Sequence, residues 1–300
     1  MNILLAFNAD YYIGAIVLLC SILEHNDWCD QITIYVLYSE LPLEKQKRFS
    51  QVASERGHAS VVYIRVGAEE FSDAPIFWKW ISRETYYRLL AQELLPQSVD
   101  RILYLDADLI VRKSLQEFYQ QDFEGKLLVA CNRRKAGQIE PKRLEQLTLP
   151  PDAIYFNAGV LLYNLKEQRE QLDSSVYREY LTLFSKWLTY QDQDVLNAVF
   201  YGLTKYADYR FYNVFDFDIL NEEKRERALR RSVIFHYNGR GKPWNVNYWG
   251  RMADVFWEYA EKLPEYQGQY AALKLKQQAY KKTHAIEAAR AARKKKRRGK

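Results

Sequence analysis

The chain has 300 residues, of which 48% are hydrophobic and 27% charged, and a formal net charge of +6. That charge is split, because Ala271–Lys300 holds 12 Lys/Arg against one acidic residue and carries +11, which leaves −5 on the rest. These figures exclude intrinsic disorder for the body and a uniformly basic nucleic-acid binder, so no nucleic-acid partner is expected. Three scattered cysteines, Cys20, Cys29 and Cys131, are too few for a disulfide framework or a zinc site and suit a reducing compartment. No apolar run reaches the roughly 20 residues of a membrane span.

In chain order, Ile3–Phe7 is a short apolar strand. Ile13–Leu23 is an apolar stretch, which predicts a buried core helix over Ile13–His25; Asp10 before the stretch and Glu24 after it distinguish it from a secretion signal. Ile32–Tyr38 is a β-branched and aromatic strand. Leu43–Arg56 has helical spacing and stops at Gly57, and Val61–Val66 is a further strand. Ser82–Leu95 is expected as a helix capped by Ser82, with Glu84 in its first turn. Arg101–Leu105 is a buried strand that runs into acidic residues. Strands alternating with helices predict an α/β fold, a mainly parallel sheet flanked by helices, with ligands at the carboxyl ends of the strands.

The second half is less regular. Leu127–Cys131 reads as a strand, and 132–151 as a loop or small helical excursion broken by Gly137 and Pro141. Ile154–Leu165 holds the apolar core of a central strand. Gln168–Leu188 and Asp192–Tyr201 read as helices, Val233–Tyr237 as a strand, and Tyr248–Leu263 as a helix. After Pro264 the composition shifts. Tyr266, Tyr270, Leu273 and Tyr280 share one helical face, and Arg293–Arg298 is an unbroken basic run. The expected organisation is one domain over 1–264 and a basic, aromatic tail over 265–300.

Five constellations carry chemistry. Leu103-Tyr104-Leu105 runs into Asp106-Ala107-Asp108, two carboxylates able to share a hard cation such as Mn²⁺ or Mg²⁺, or else a solvated turn. His236 ends a strand ahead of Gly239, Gly241 and Lys242; an imidazole there can complete a metal shell, and glycines with a lysine can admit a phosphate. Gln191-Asp192-Gln193-Asp194 opens a helix, where acids commonly cap the first turn, while Gln193 has no such explanation. Asn157, beside Ala158 and Gly159, either reads hydroxyls or packs the strand. Arg88 interrupts an apolar face, either to pin an anion or to snorkel outward.

Together and in this order, these pieces resemble the retaining glycosyltransferases of family 8, the group of lipooligosaccharide and lipopolysaccharide galactosyl- and glucosyltransferases and glycogenin. The resemblance is carried by Asn8–Ala15, Thr85–Leu89, Val99–Ser114, Tyr155–Leu165, Tyr190–Asn197 and His236–Trp244, spread over roughly residues 1–260. It implies a GT-A fold, a Rossmann-like mixed sheet, with a UDP-sugar donor, UDP-galactose or UDP-glucose. It implies Mn²⁺, with Mg²⁺ as an alternative, on Asp106, Asp108 and His236. It further implies a uridine pocket at Ala6, Asn8 and Tyr11, diphosphate contacts at Ala107, Gly241 and Lys242, and donor-sugar contacts at Arg88, Asn157, Asp192 and Gln193. Many bacterial members have an acid where this chain has Asn8. Phe71–Ile81, with Phe77, Trp78 and Trp80, falls where the acceptor-side loop belongs.

The implied reaction moves a hexose with retention to a hydroxyl of a cell-envelope glycan or glycolipid. It runs either by front-face displacement, with Gln193 near the anomeric carbon, or by double displacement with Asp192 as nucleophile. The alternatives are a glycogenin-like self-glucosylating primer and a non-catalytic sugar-nucleotide-binding scaffold. The tail reads either as a solubilising extension or as an interfacial helix over 266–300 that binds an anionic membrane. The latter places the enzyme in the cytoplasm, attached peripherally to the inner face of a bacterial plasma membrane.

Overall fold

The structure is a computed structural model and describes residues 1–55, 58–67, 69–78, 81–134 and 139–298. The expected helix stop at Gly57, the break at Gly137 and Trp80 lie outside the described residues.

Seven strands form one sheet in the order β3-β2-β1-β4-β7-β6-β8. They are β1 Asn2–Ala6, β2 Ile32–Tyr38, β3 Ala59–Arg65, β4 Arg101–Leu105, β6 Leu128–Arg134, β7 Tyr155–Asn164 and β8 Thr204–Ala207. Neighbours run parallel except at β7, which is antiparallel to β4 and β6. The fold is therefore α/β, with the expected mixed, mainly parallel sheet. Three short strands, β5 Leu109–Val111, β9 Val214–Phe215 and β10 Ile234–His236, form a second sheet in the order β5-β10-β9.

The reversal of β7 positions the site. Leu105 pairs with Val160, so the beginning of β7 runs on past the carboxyl end of β4. There the Asp106 N–H donates to Gly159 O at 2.9 Å. On the other side, β6 shifts register between Ala130, opposite Leu161, and Cys131, opposite Asn157. Residues 157–159 are thus held at a break in the ladder, next to the acidic pair.

The helix Tyr12–His25 is buried from Gly14 to Leu23, as its uniformly apolar sequence requires. It also fixes the chain that follows the carboxylates. Ser21 Oγ accepts from Val111 N at 3.1 Å and Asn26 Oδ1 from Leu115 N at 2.8 Å.

Some elements depart from expectation. Ser82–Leu95 is not one α-helix but a 3₁₀ segment, Arg83–Leu90, followed by a single turn, Ala91–Leu94, and Ser82 makes no side-chain cap. The tighter winding puts Glu84 and Arg88, both polar, among the buried residues, which a simple amphipathic pattern would not do. Gln168–Leu188 is broken into Leu165–Gln171 and Ser175–Phe184, the first capped by Asn164. The helix expected over Tyr248–Leu263 is confined to Ala253–Ala260.

Two compact units make up the chain: Met1–Val214 with Arg231–Phe235, and Phe215–Arg230 with His236–Lys300. The seven-stranded sheet lies in the first. In the second, buried Trp257 of Ala253–Ala260 stacks on Tyr270 of the long helix Gln269–Arg298, with centroids 5.6 Å apart. The beginning of the expected tail is therefore packed within this unit. Among the described residues, no helix is long and apolar enough to cross a membrane.

Leu161 is fully buried between Tyr104 of β4 and Ala130 of β6. Leu161→Ala should cost about 2–5 kcal/mol. Urea denaturation would show this as a lowered midpoint with an unchanged slope.

Candidate active site

The centre of the first unit is one guanidinium. Arg88 is only 3% exposed, so it does not snorkel outward. Its Nη2 lies 3.0 Å from Asp106 Oδ1 and its Nε 2.9 Å from Asp192 Oδ2. The Nε–H is directed at Thr85 O at 2.9 Å, and Nη1 donates to Ala158 O. The guanidinium plane covers the Tyr104 ring at 4.3 Å, and the Tyr104 hydroxyl donates to Asp106 Oδ1 at 2.8 Å. Burial alone would weaken the Arg88 charge, but Asp106 and Asp192 outweigh it and raise its pKa. Burial pushes the Asp192 carboxyl up to about 6, with Arg88 opposing and Asp106 adding to the shift.

The two acids that open the helix Asp192–Val199 have different tasks. Asp192 faces Arg88. Asp194 accepts from Tyr155 Oη at 2.5 Å and from Tyr190 N at 2.7 Å, and it pairs with Arg143. Burial raises the Asp194 carboxyl, while Arg143 and Tyr155 counter it. Asp194 is thus taken up by structural contacts around the helix start, whereas Asp192 pairs with Arg88. Gln191 between these contacts adopts φ 55°, a left-handed conformation uncommon for a side-chain-bearing residue, and the Asp194–Tyr190 bond helps to hold it.

Gln193 is tied to β7. Its Oε1 accepts from Asn157 Nδ2 at 2.9 Å and from Ala158 N at 3.1 Å, and its Nε2 donates to Tyr155 Oη at 3.2 Å. Asn157 Oδ1 accepts from Gly159 N at 3.0 Å and Asn213 Nδ2 at 2.9 Å. Arg88, Asp106, Asn157, Asp192 and Gln193, from four separate segments, therefore come together.

Asn8 forms a turn ahead of the first helix. Its Oδ1 accepts from Asp10 N at 3.1 Å and its Nδ2 donates to Glu84 Oε2 at 3.3 Å. Glu84, buried, also accepts from Ser39 Oγ at 2.6 Å. Asn8, Ser39, Glu84, Tyr38 and Arg65 line a cavity of about 670 Å³. Glu84 and Ser39 were missed from sequence. Glu84 reads there as a dipole-complementing acid in a first turn, whereas in the structure it lies in a segment buried along most of its length.

In the second unit, His236 meets Phe215 edge-to-face, with centroids 5.1 Å apart. Lys242 is buried, with Nζ donating to Tyr237 O at 2.9 Å. Gly239 has φ +108°, and a Cβ on Gly241 would stand 2.8 Å from Asn247 O. Glycine at 241 is thus required by the loop's own packing. Asp216, also missed from sequence, is buried beneath this loop. Burial raises its carboxyl to about 6, opposed by a bond from Tyr248 and the charge of Lys242.

Asp106 and Asp108 follow β4 in the first unit, and His236 ends β10. Asp108 and His236 are buried. Two carboxylates and an imidazole make a donor set that fits Mn²⁺, which accepts oxygen and nitrogen ligands together.

The sheet and the carboxylate cluster at its β4 end are those of a glycosyltransferase. The chain matches the crystal structure of the galactosyltransferase LgtC in complex with donor and acceptor sugar analogs, with a TM-score of 0.75 and 28% identity over 89% of this chain and 99% of that one. The model of glycosyl transferase family 8 matches residues 2–248, and the chain belongs to that family. A lipopolysaccharide 1,2-glucosyltransferase of Escherichia coli is 28% identical over 85% of this chain and 76% of its own length. A lipopolysaccharide 1,3-galactosyltransferase of Salmonella typhimurium is 28% identical over 83% and 74%.

Because its pKa stands above the ordinary carboxylate value, Asp192 binds a proton more tightly folded than unfolded. Its contribution to stability is present below about pH 4 and is lost as the pH rises through about 6. Removing Arg88 strands the carboxylates at high pH, whereas a proton replaces the missing cation at low pH. Arg88→Met should therefore cost about 3–5 kcal/mol at pH 8 and distinctly less at pH 5, as measured by chemical denaturation in chelator.

Proposed function

We propose that the protein is a metal-dependent retaining hexosyltransferase that moves galactose or glucose from a UDP-sugar to a hydroxyl of a cell-envelope glycan or glycolipid. The observation that carries this reading is the coupling of two functions at Asp106. The same carboxylate belongs to the Asp106/Asp108 pair at the end of β4 and to the Arg88 network that reaches Asp192. A cation held there would supply positive charge beside the departing diphosphate. Asn8 and Tyr11 would seat the uracil, and Ala6 would flank it. Lys242 would offer a fixed charge to the diphosphate, with Ala107 and Gly241 lending backbone contact.

The sugar would lie over Arg88, Asn157, Asp192 and Gln193. Asp192 is buried and paired with Arg88, and this favours a role in gripping sugar hydroxyls over attack at carbon. The Gln193 carbonyl is engaged by Asn157 and Ala158, so the amide presents a preset dipole beside the reacting centre. These features favour front-face displacement, in which the leaving phosphate takes the acceptor hydroxyl's proton. The attachment device is the end of the helix Gln269–Arg298, whose sequence closes on the basic run Arg293–Arg298. It would hold the enzyme to the anionic inner face of a bacterial membrane.

With Mn²⁺ and a panel of UDP-sugars, the protein should release UDP from UDP-galactose or UDP-glucose. Asp106→Ala should abolish that release, and equal release with and without chelator would overturn the metal dependence. Asp192→Ala retaining near-normal turnover would exclude covalent catalysis by that residue. Replacing Arg293–Arg298 with Gln should abolish co-sedimentation with anionic vesicles, since each basic residue near such a surface contributes about 1 kcal/mol. The same variant should keep its donor hydrolysis.

A further inference from the structure

The proposed membrane role accounts for the far end of the helix Gln269–Arg298 but not for its first turns. There Gln277, an amide, is only 4% exposed. Its Nε2 donates to Pro243 O at 3.0 Å and to Asn245 O at 2.9 Å. Trp257 Nε1 reaches the same Pro243 O at 3.1 Å. One turn further along, Lys281 Nζ donates to Gly250 O at 3.1 Å and lies 5.5 Å from the centroid of the Tyr248 ring. Tyr280 meets Trp249 edge-to-face.

These contacts bracket one stretch of chain, Gly241–Gly250. Within it, Asn245 N donates to Lys242 O at 2.8 Å and Tyr248 N to Asn245 O at 3.3 Å. Pro243 has no N–H to give. Gln277 adds to these turns from outside, supplying two N–H groups to carbonyls two residues apart. A neutral amide does this without burying a charge.

We propose that Gln277 is a positioning residue for Lys242, acting through the 243–245 backbone, so that the helix sets the fraction of molecules whose loop is ready to receive the donor. This rests on the reading of Lys242 as a donor-phosphate contact. When a binding-competent loop is only partly populated, apparent affinity falls by that fraction, whereas saturating donor restores the competent state. The signature is a raised KM with kcat preserved.

The test is UDP-release kinetics on the full chain with Mn²⁺ and whichever of UDP-galactose and UDP-glucose turns over faster. Gln277→Met keeps the length and removes both N–H groups; Gln277→Glu keeps the shape and replaces them with an acceptor. Both should raise the donor KM at least five-fold with kcat within two-fold of the parent, and Lys242→Met should lower kcat at least ten-fold. Should the Gln277 variants not fold, as judged by near-UV circular dichroism, the half-buried Lys281→Met provides the same comparison, with a KM raised at least two-fold. An unchanged KM, or a fall in kcat alone, overturns the proposal when Lys242→Met is impaired. If Lys242→Met is itself unimpaired, the assignment of Lys242 fails first and takes the proposal with it.

Discussion

The site depends on a charge that has nowhere else to go. A guanidinium removed from water is tolerated only when anions and acceptors surround it, and Arg88 meets this condition with Asp106, Asp192, Thr85 O and Ala158 O. Each partner comes from a different part of the chain: the end of β4, the start of a helix, the 3₁₀ segment itself and β7. The cost of leaving Arg88 unpaired therefore acts as a constraint on all four. The pieces that would grip a sugar are locked together before any ligand arrives, which is what preorganisation of a polar site requires.

Much of this was legible from sequence, for identifiable reasons. Six strands of the main sheet were legible as apolar runs bounded by turns, but β8, Thr204–Ala207, was not, because four residues of mixed character at the sheet edge make no such run. Asp106, Asp108 and His236 were singled out because acids and a histidine end apolar strands, although a solvated turn explains the acids as readily. Arg88 was ambiguous, since a single cation on an apolar face is explained equally well by snorkelling, and only the neighbouring carboxylates decide the matter. Glu84 was legible as a first-turn acid but not as a buried partner of Asn8, because 3₁₀ winding changes which residues share a face. Asp194 and Asp192 are two residues apart with the same local signature. What separates them is Tyr155, Arg143 and Arg88, all remote in sequence.

The helix Gln269–Arg298 shows the same limit at larger scale. Its aromatic spacing marked one face correctly, since Tyr270 stacks on Trp257 and Tyr280 meets Trp249. Composition suggested a separate attachment device beginning near 265. The packing builds the turns carrying Tyr270, Gln277 and Lys281 into the second unit, with the strongly basic sequence beyond them. Net charge, an average over both parts, carries no trace of that division.

The reversed direction of β7 has a consequence for how such a protein can diversify. Asn157 and Ala158 stand just ahead of Val160–Asn164, the run paired with β4, and are tied to Gln193, so a one-residue insertion between them and that run would carry them away from that amide. This wall can therefore change only by substitution at constant length. The stretch between β3 and Arg83–Leu90 is under no such rule. Its described residues join no sheet, so its length can change while the strand register stays intact. Donor preference and acceptor choice would then evolve by different kinds of mutation, point replacement for the first and loop remodelling for the second.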